Sequence, residues 1–329
     1  RTVDFGFEAG LINDRIVAEF SYFNKNSTDV LIDRLVQLSS GFARYFENIA
    51  EINNRGIELS LRSRNIDKEF RWTTDINVSK LENEVIDIGA TPPDAIAGSG
   101  DTRVVEGLPV GVNFLNRFSR VDPANGLPIF LDKEGNETYE FNLDDRVPVG
   151  SVVPDWTGGI TNTFSYKNFD LSILFTFTLG GNIYDDAAKR QLGIVSNWNM
   201  RRDIVDRWRQ PGDIAQFPRL TLNSTVYGGL PSFWNLNTTQ FLYDATYGRL
   251  KNVMLGYNFP GNLTDRLRLN GARVYFNASN LLTFTKYPGP DPEIVRDHDA
   301  RQGRNLSPNV TYLTPPQERA YIVGINVTF

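Results

Sequence analysis

The final nine residues, Tyr321 to Phe329, alternate so regularly that few folds can accept them. Tyr321, Val323, Ile325, Val327 and Phe329 share one parity, while Gly324, Asn326 and Thr328 share the other. Side chains along a strand point to its two faces in turn, so this is a strand with one apolar face, finishing on an aromatic. Soluble chains seldom end this way. Outer-membrane β-barrels do, because the last strand closes the barrel and its aromatic lies at the membrane interface.

The same alternation recurs along the chain. Val3 to Leu11, Ile16 to Phe23, Gly56 to Arg62, Phe70 to Ser79, Ile160 to Tyr166, Phe169 to Leu179, Leu250 to Phe259 and Arg273 to Leu281 all read as strands bounded by turn residues. Weaker strands are predicted over 110–121 and 127–131. With the terminal strand the count is about eleven, most near the ~10 residues of a tilted membrane strand. Connections at 13–14, 63–69, 122–126, 167–168 and 260–269 are short. Those at 26–50, 80–109, 132–155, 180–240 and 282–318 are long. Short and long alternate, as periplasmic turns and extracellular loops do in such barrels. The expected fold class is an all-β transmembrane antiparallel β-barrel with long extracellular loops, and the alternation turns the terminal strand toward the periplasm.

Composition permits this. Hydrophobic residues make up 40% of the 329-residue chain and mean hydropathy is −0.32, so no membrane helix is announced, yet alternating barrel strands average out as hydrophilic. There is no cysteine, which excludes disulfides and Cys-ligated metals, and the one histidine, His298, argues against His-based triads and His-rich metal sites. A net charge of −5 argues against a nucleic-acid surface. No nucleophile elbow or phosphate loop is present, so neither an enzyme nor a cofactor is expected. The opening Arg1, already in strand pattern and without a signal peptide, predicts a C-terminal piece of a longer exported protein. An odd strand number agrees, since bacterial barrels are even-numbered.

Several motifs carry a resemblance. Asn54-Arg55-Gly56-Ile57-Glu58-Leu59 resembles a strand of TonB-dependent outer-membrane transporters. Pro154-Asp155-Trp156-Thr157-Gly158-Gly159, then Asn162, Tyr166 and Phe169-Asp170-Leu171, resembles the signature of the SusC/RagA family. Asp206-Arg207-Trp208, Tyr247 to Tyr257 and Asn277 to Thr285 fit the same family, so the resemblance runs through residues 1–329 in order. It implies the last eleven strands of a 22-strand plugged barrel that imports oligosaccharides or peptides. It also implies a SusD-like surface lipoprotein as lid, outer-membrane lipid around the wall, and energy from the TonB complex acting on a plug that these residues do not include. A structural or scaffolding barrel and a soluble carbohydrate-binding β-sandwich remain as alternatives.

Candidate contact residues follow from chemistry. Trp198 and Trp208, beside the charged stretch Arg201 to Arg207, suit a lid-docking loop or a loop packed on itself. Tyr227, Phe233 and Trp234 suit sugar stacking or an interface girdle. Asp297 and His298 belong to an acidic cluster with Asp291, Glu293 and Asp299, which could meet cations or sugar hydroxyls or simply be solvated. Asp132, Glu134 and Asn136 resemble a calcium loop but lack its Gly at position 6 and its acidic twelfth ligand; a plain turn explains them. Glu8, Glu19, Glu58, Arg62, Arg71 and Asp75 are expected on a polar inner face. Tyr321, Val323, Ile325, Val327 and Phe329 are expected to face outward on the barrel-closing strand.

Overall fold

The alternating segments pair in chain order into one antiparallel wall. The computed structural model describes residues 1–35, 41, 44–91, 96, 98, 101–192, 199–221, 237–293 and 309–329. Nine strands form this sheet: β1 (Thr2–Leu11), β2 (Ile16–Leu35), β3 (Arg44–Asp67), β4 (Phe70–Asp87), β5 (Trp156–Tyr166), β6 (Phe169–Leu179), β7 (Tyr247–Asn258), β8 (Gly271–Thr285) and β9 (Ala320–Thr328). Each pairs with its sequence neighbour, and β1 and β9 are the two edges of a sheet that is not closed. As expected, the terminal strand pairs with Arg273 to Leu281, with Tyr321 opposite Ala278 and Val327 opposite Ala272.

Among the described residues nine strands form the wall, where about eleven were expected. Residues 112–115 and 117–121 are too short for the wall, since four or five residues span about 13–16 Å and a barrel's apolar band is about 25 Å tall. Pro128–Leu131 fails for the same reason. These segments belong to small sheets inside one long excursion, 88–155, that leaves β4 and returns to β5. The long connection expected at 26–50 also shrinks, because β2 and β3 continue as paired strands to Leu35 and from Arg44.

The wall has two unlike faces. Val3, Phe5, Phe7 and Leu11 on β1 are opposite Asn24, Tyr22, Phe20 and Ile16, and the shared face continues through Leu59, Ile76, Ile160, Phe175, Leu255 and Val274 to Ile325. Its large apolar side chains are exposed, Phe5 at 63%, Val323 at 73% and Phe329 at 86%. A contiguous apolar surface of this extent is not stable against water. On β5 it runs from Trp156 to Tyr166, ten residue steps, or about 33 Å of strand and about 25 Å of height at a barrel's usual tilt. Polar groups on this face satisfy one another. Asn162 Oδ1 accepts from Trp72 Nε1 at 2.9 Å and Thr74 Oγ1 at 2.7 Å, and Asn65 Nδ2 donates to Thr74 at 2.8 Å. Beyond Lys80, which lies over the Trp156 ring, the face turns charged, with Arg55 and Lys80 both on Glu82.

The long excursions fold into a cap. Leu115 from the first, Tyr184, Leu192 and Phe241 from the second and Val310 from the third share one buried core. Strand 182–185 pairs with 242–244 and, in parallel, with 310–311, which welds two excursions together. Each fully buried large apolar side chain contributes about 1.5–3 kcal/mol to such a core. A second core, with Ile32, Ala50, Val85 and Val104, joins the first excursion to the projecting ends of β2, β3 and β4.

Candidate functional site

The polar face opposite the apolar band gathers the charged residues that alternation assigned to it. Glu8 stands opposite Glu19, Glu58 opposite Ser21, and Arg62 opposite Asp75 with an Nε–Oδ1 contact of 2.6 Å. A groove of about 460 Å³ runs past Glu19, Ser60, Arg62, Asp75, Asn77 and Thr161. Further along, Arg273 on β8 reaches across β7 to Asp170 on β6 with paired bonds of 2.6 and 2.7 Å. It can cross because β7 places Gly256 between them, where any Cβ would collide with the guanidinium. The Asp170 of the Phe-Asp-Leu motif and the Gly256 beside Tyr257 thus form one device.

Above this face, the cap is organised around buried charge. Asp185, 2% exposed, caps helix α1 (Asp186–Leu192) by accepting from Ala188 N at 2.8 Å. Its other oxygen accepts from Arg201 at 2.9 Å and Tyr287 at 3.2 Å. Burial pushes the Tyr243 phenol up to about 12, with Asp185 adding to it, and the same two causes push Tyr287 higher still. Burial alone would lower Arg201, but Asp185 and Asp203 outweigh it and hold the guanidinium above its ordinary value. Lys189 is lowered by burial, against the opposing pull of Asp186 at 2.8 Å. Asn237 links Lys189, at 2.5 Å, to Asp101, so the first and second excursions share one polar network.

The candidate residues distribute unevenly. Trp208 is packed within the cap, its Nε1 donating to Pro123 O at 2.9 Å and its ring against Gly126, where a Cβ would not fit. Trp198, Tyr227, Phe233, Trp234, Asp297 and His298 lie outside the described residues. Asp132 accepts from Asn136 N at 2.7 Å and from Asn136 Nδ2 at 3.0 Å, closing a turn on itself while Glu134 stays exposed. No group of three or more metal-ligating side chains occurs among the described residues. Asp291 and Glu293 are not free acids; Arg249 and Lys251 on β7 occupy them. Sequence reasoning missed those two cations, although two basic residues in a wall strand were the signal.

No family model matches the chain. TonB-dependent receptor P26 of Formosa agariphila is 30% identical over 350 residues, covering 100% of this chain and 34% of that protein. TonB-dependent receptor SusC of Bacteroides thetaiotaomicron is 25% identical over 344 residues, covering 100% of this chain and 32% of that protein. Among solved structures, the RagAB peptide transporter superposes with a TM-score of 0.81 at 26% identity, covering 100% of this chain and 35% of that one. The chain spans about a third of the length of the curated relatives it matches.

Proposed function

We propose that this chain, which belongs to the SusC/RagA family of TonB-dependent receptors, forms wall and outer mouth of an outer-membrane importer of oligosaccharides or peptides. The observation that carries the reading is the exposed apolar band, about as tall as a membrane, backed by a polar face of paired charges. In a 22-strand barrel the nine strands would be this chain's share, with the polar face lining the lumen and the cap outside the cell. These residues work passively. The wall excludes lipid, the hydrated carboxylates and guanidiniums offer hydrogen bonds to a polar solute, and the cap frames its entry. Movement requires the TonB complex acting on a plug elsewhere in the receptor, and a SusD-like surface lipoprotein would close the mouth. Trp198, Trp208, Tyr227, Phe233, Trp234, Asp297 and His298 are the proposed lid or substrate contacts.

The test is uptake by cells expressing the full-length receptor, using a fluorescein-labelled dextran hydrolysate and a fluorescein-labelled tryptic digest of casein. One probe should enter, and only while TonB is present. Entry of neither, or entry indifferent to TonB, would sink the importer reading.

A further inference from the structure

From β7 we infer that Arg249 and Lys251 form a two-cation clamp that fixes the two limbs of the last excursion, 286–293 and 309–319, against the lumen side of the wall and thereby positions the mouth for import. The sequence alone would put these cations on the wrong face. Tyr257, Leu255, Val253, Lys251 and Arg249 share one parity, and Tyr257, Leu255 and Val253 belong to the apolar band. The register shifts at Lys251: Asn252 is opposite Leu174 and Leu250 is opposite Phe175. On the other side Asn252 meets Ser279 and Leu250 meets Leu282, with Asn280 at a left-handed φ of 54°. The bulge therefore moves Leu250 into the band beside Phe175 and Leu282. Arg249 turns to the polar face between Thr176 and Thr283.

There Arg249 is 1% exposed, among the most deeply buried side chains described. Its Nη2 donates to Asp291 Oδ1 and its Nε lies 3.3 Å from Glu293 Oε2. Lys251 Nζ donates to Glu293 at 2.8 and 3.0 Å and to Gln317 Oε1 at 3.0 Å. Gln317 N closes the ring by donating to Asp291 Oδ2 at 3.2 Å. Asp291 and Glu293 lie on the outgoing limb of the excursion and Gln317 on its returning limb, so two wall cations hold both limbs. A buried guanidinium stripped of its carboxylate is costly, which makes the clamp all-or-none. Arg249 and Lys251 are positioning residues; no contact with a solute is assigned to them.

The functional half of this inference rests on the import reading, while its structural half is tested separately. In the full-length receptor on cells, P292C places a thiol at a buried position between the two clamped acids, in a stretch of 329 residues that otherwise has none. Alkylation by a membrane-impermeant maleimide is followed at that site by mass spectrometry. R249M/K251M should raise its rate at least about tenfold, with K251R as slow as the parent and the barrel still heat-modifiable on gels. Proteinase K cleavage within 286–319, measured without the added thiol, should rise in parallel. For whichever labelled probe enters, the apparent KM should increase by about threefold or more while the maximal rate stays within about twofold. If the double variant does not assemble, K251M is read instead. Unchanged alkylation and cleavage in an assembled variant would overturn the clamp, and unchanged KM would overturn its role in import. Uptake of neither probe by the parent would count against the importer, not against the clamp.

Discussion

At the scale of single residues, the glycines inside the motifs have steric work. A Cβ on Gly158 would lie 2.6 Å from the Asn77 carbonyl oxygen of β4 and 2.6 Å from the Phe177 ring. Gly56 is hemmed in likewise, by the Lys80 carbonyl and the Phe23 ring. Backbone cannot step aside as a side-chain tip can. Gly158→Ala and Gly56→Ala should each destabilise the wall by about 1–3 kcal/mol in denaturant titrations of vesicle-inserted receptor. Gly261→Ala, with open space around it, should be neutral within about 0.5 kcal/mol. Equal effects at all three sites would remove the steric explanation. In the cap, the buried phenols Tyr243 and Tyr287 have folded pKa values raised above the ordinary 10, so they bind their protons more tightly folded than unfolded. Their stabilising effect is complete below pH 10 and is lost as pH rises through about 12 for Tyr243. Phenolate absorbance and near-ultraviolet circular dichroism should change together in that window, and phenols ionising near pH 10 without loss of structure would contradict the buried placement.

At the scale of elements, alternation revealed the eight long wall strands and the terminal one because each of them has one apolar and one polar face. It was blind where the pattern breaks. The bulge at Lys251 reverses parity within β7, and nothing in Arg249-Leu250-Lys251 announces on which side the reversal occurs. The two weak strands were misplaced for another reason. Val112, Asn113 and Leu115 are buried on both faces inside the cap, so they never face the environment that creates alternation. Candidate residues fared worse than strands, because Asp291 and Glu293 are answered by cations some 42 residues away in the chain. Deleting Lys251, the bulged residue itself, should restore simple alternation with Leu250 still in the band and Arg249 still on the polar face. What the deletion removes is the Lys251 link to Glu293 and Gln317, so the yield of folded barrel in vesicles should hold while proteolysis of the last excursion rises. A deletion variant that fails to insert would show that the wall itself needs the bulge.

At the scale of the whole molecule, alternating short and long connections survive the change from eleven strands to nine, since removing an antiparallel pair leaves the direction of every other strand untouched. The alternation therefore sets which end carries the cap without setting the strand number. What it could not reveal is that the long connections are one folded layer. Leu115, Tyr184 and Val310 come from three different excursions and meet in a single core, each with no exposed surface. On the importer reading the wall faces lipid and the cap faces water, so their stabilities should separate. Leu115→Ala should cost the cap about 2–5 kcal/mol. The wall should still assemble, giving a heat-modifiable band in the outer membrane, while proteinase K gains cleavage in 180–246 and 286–319 as well as in 88–155. Cleavage confined to 88–155 would mean the excursions fold separately, and failure of the barrel itself would mean that wall and cap are one cooperative unit.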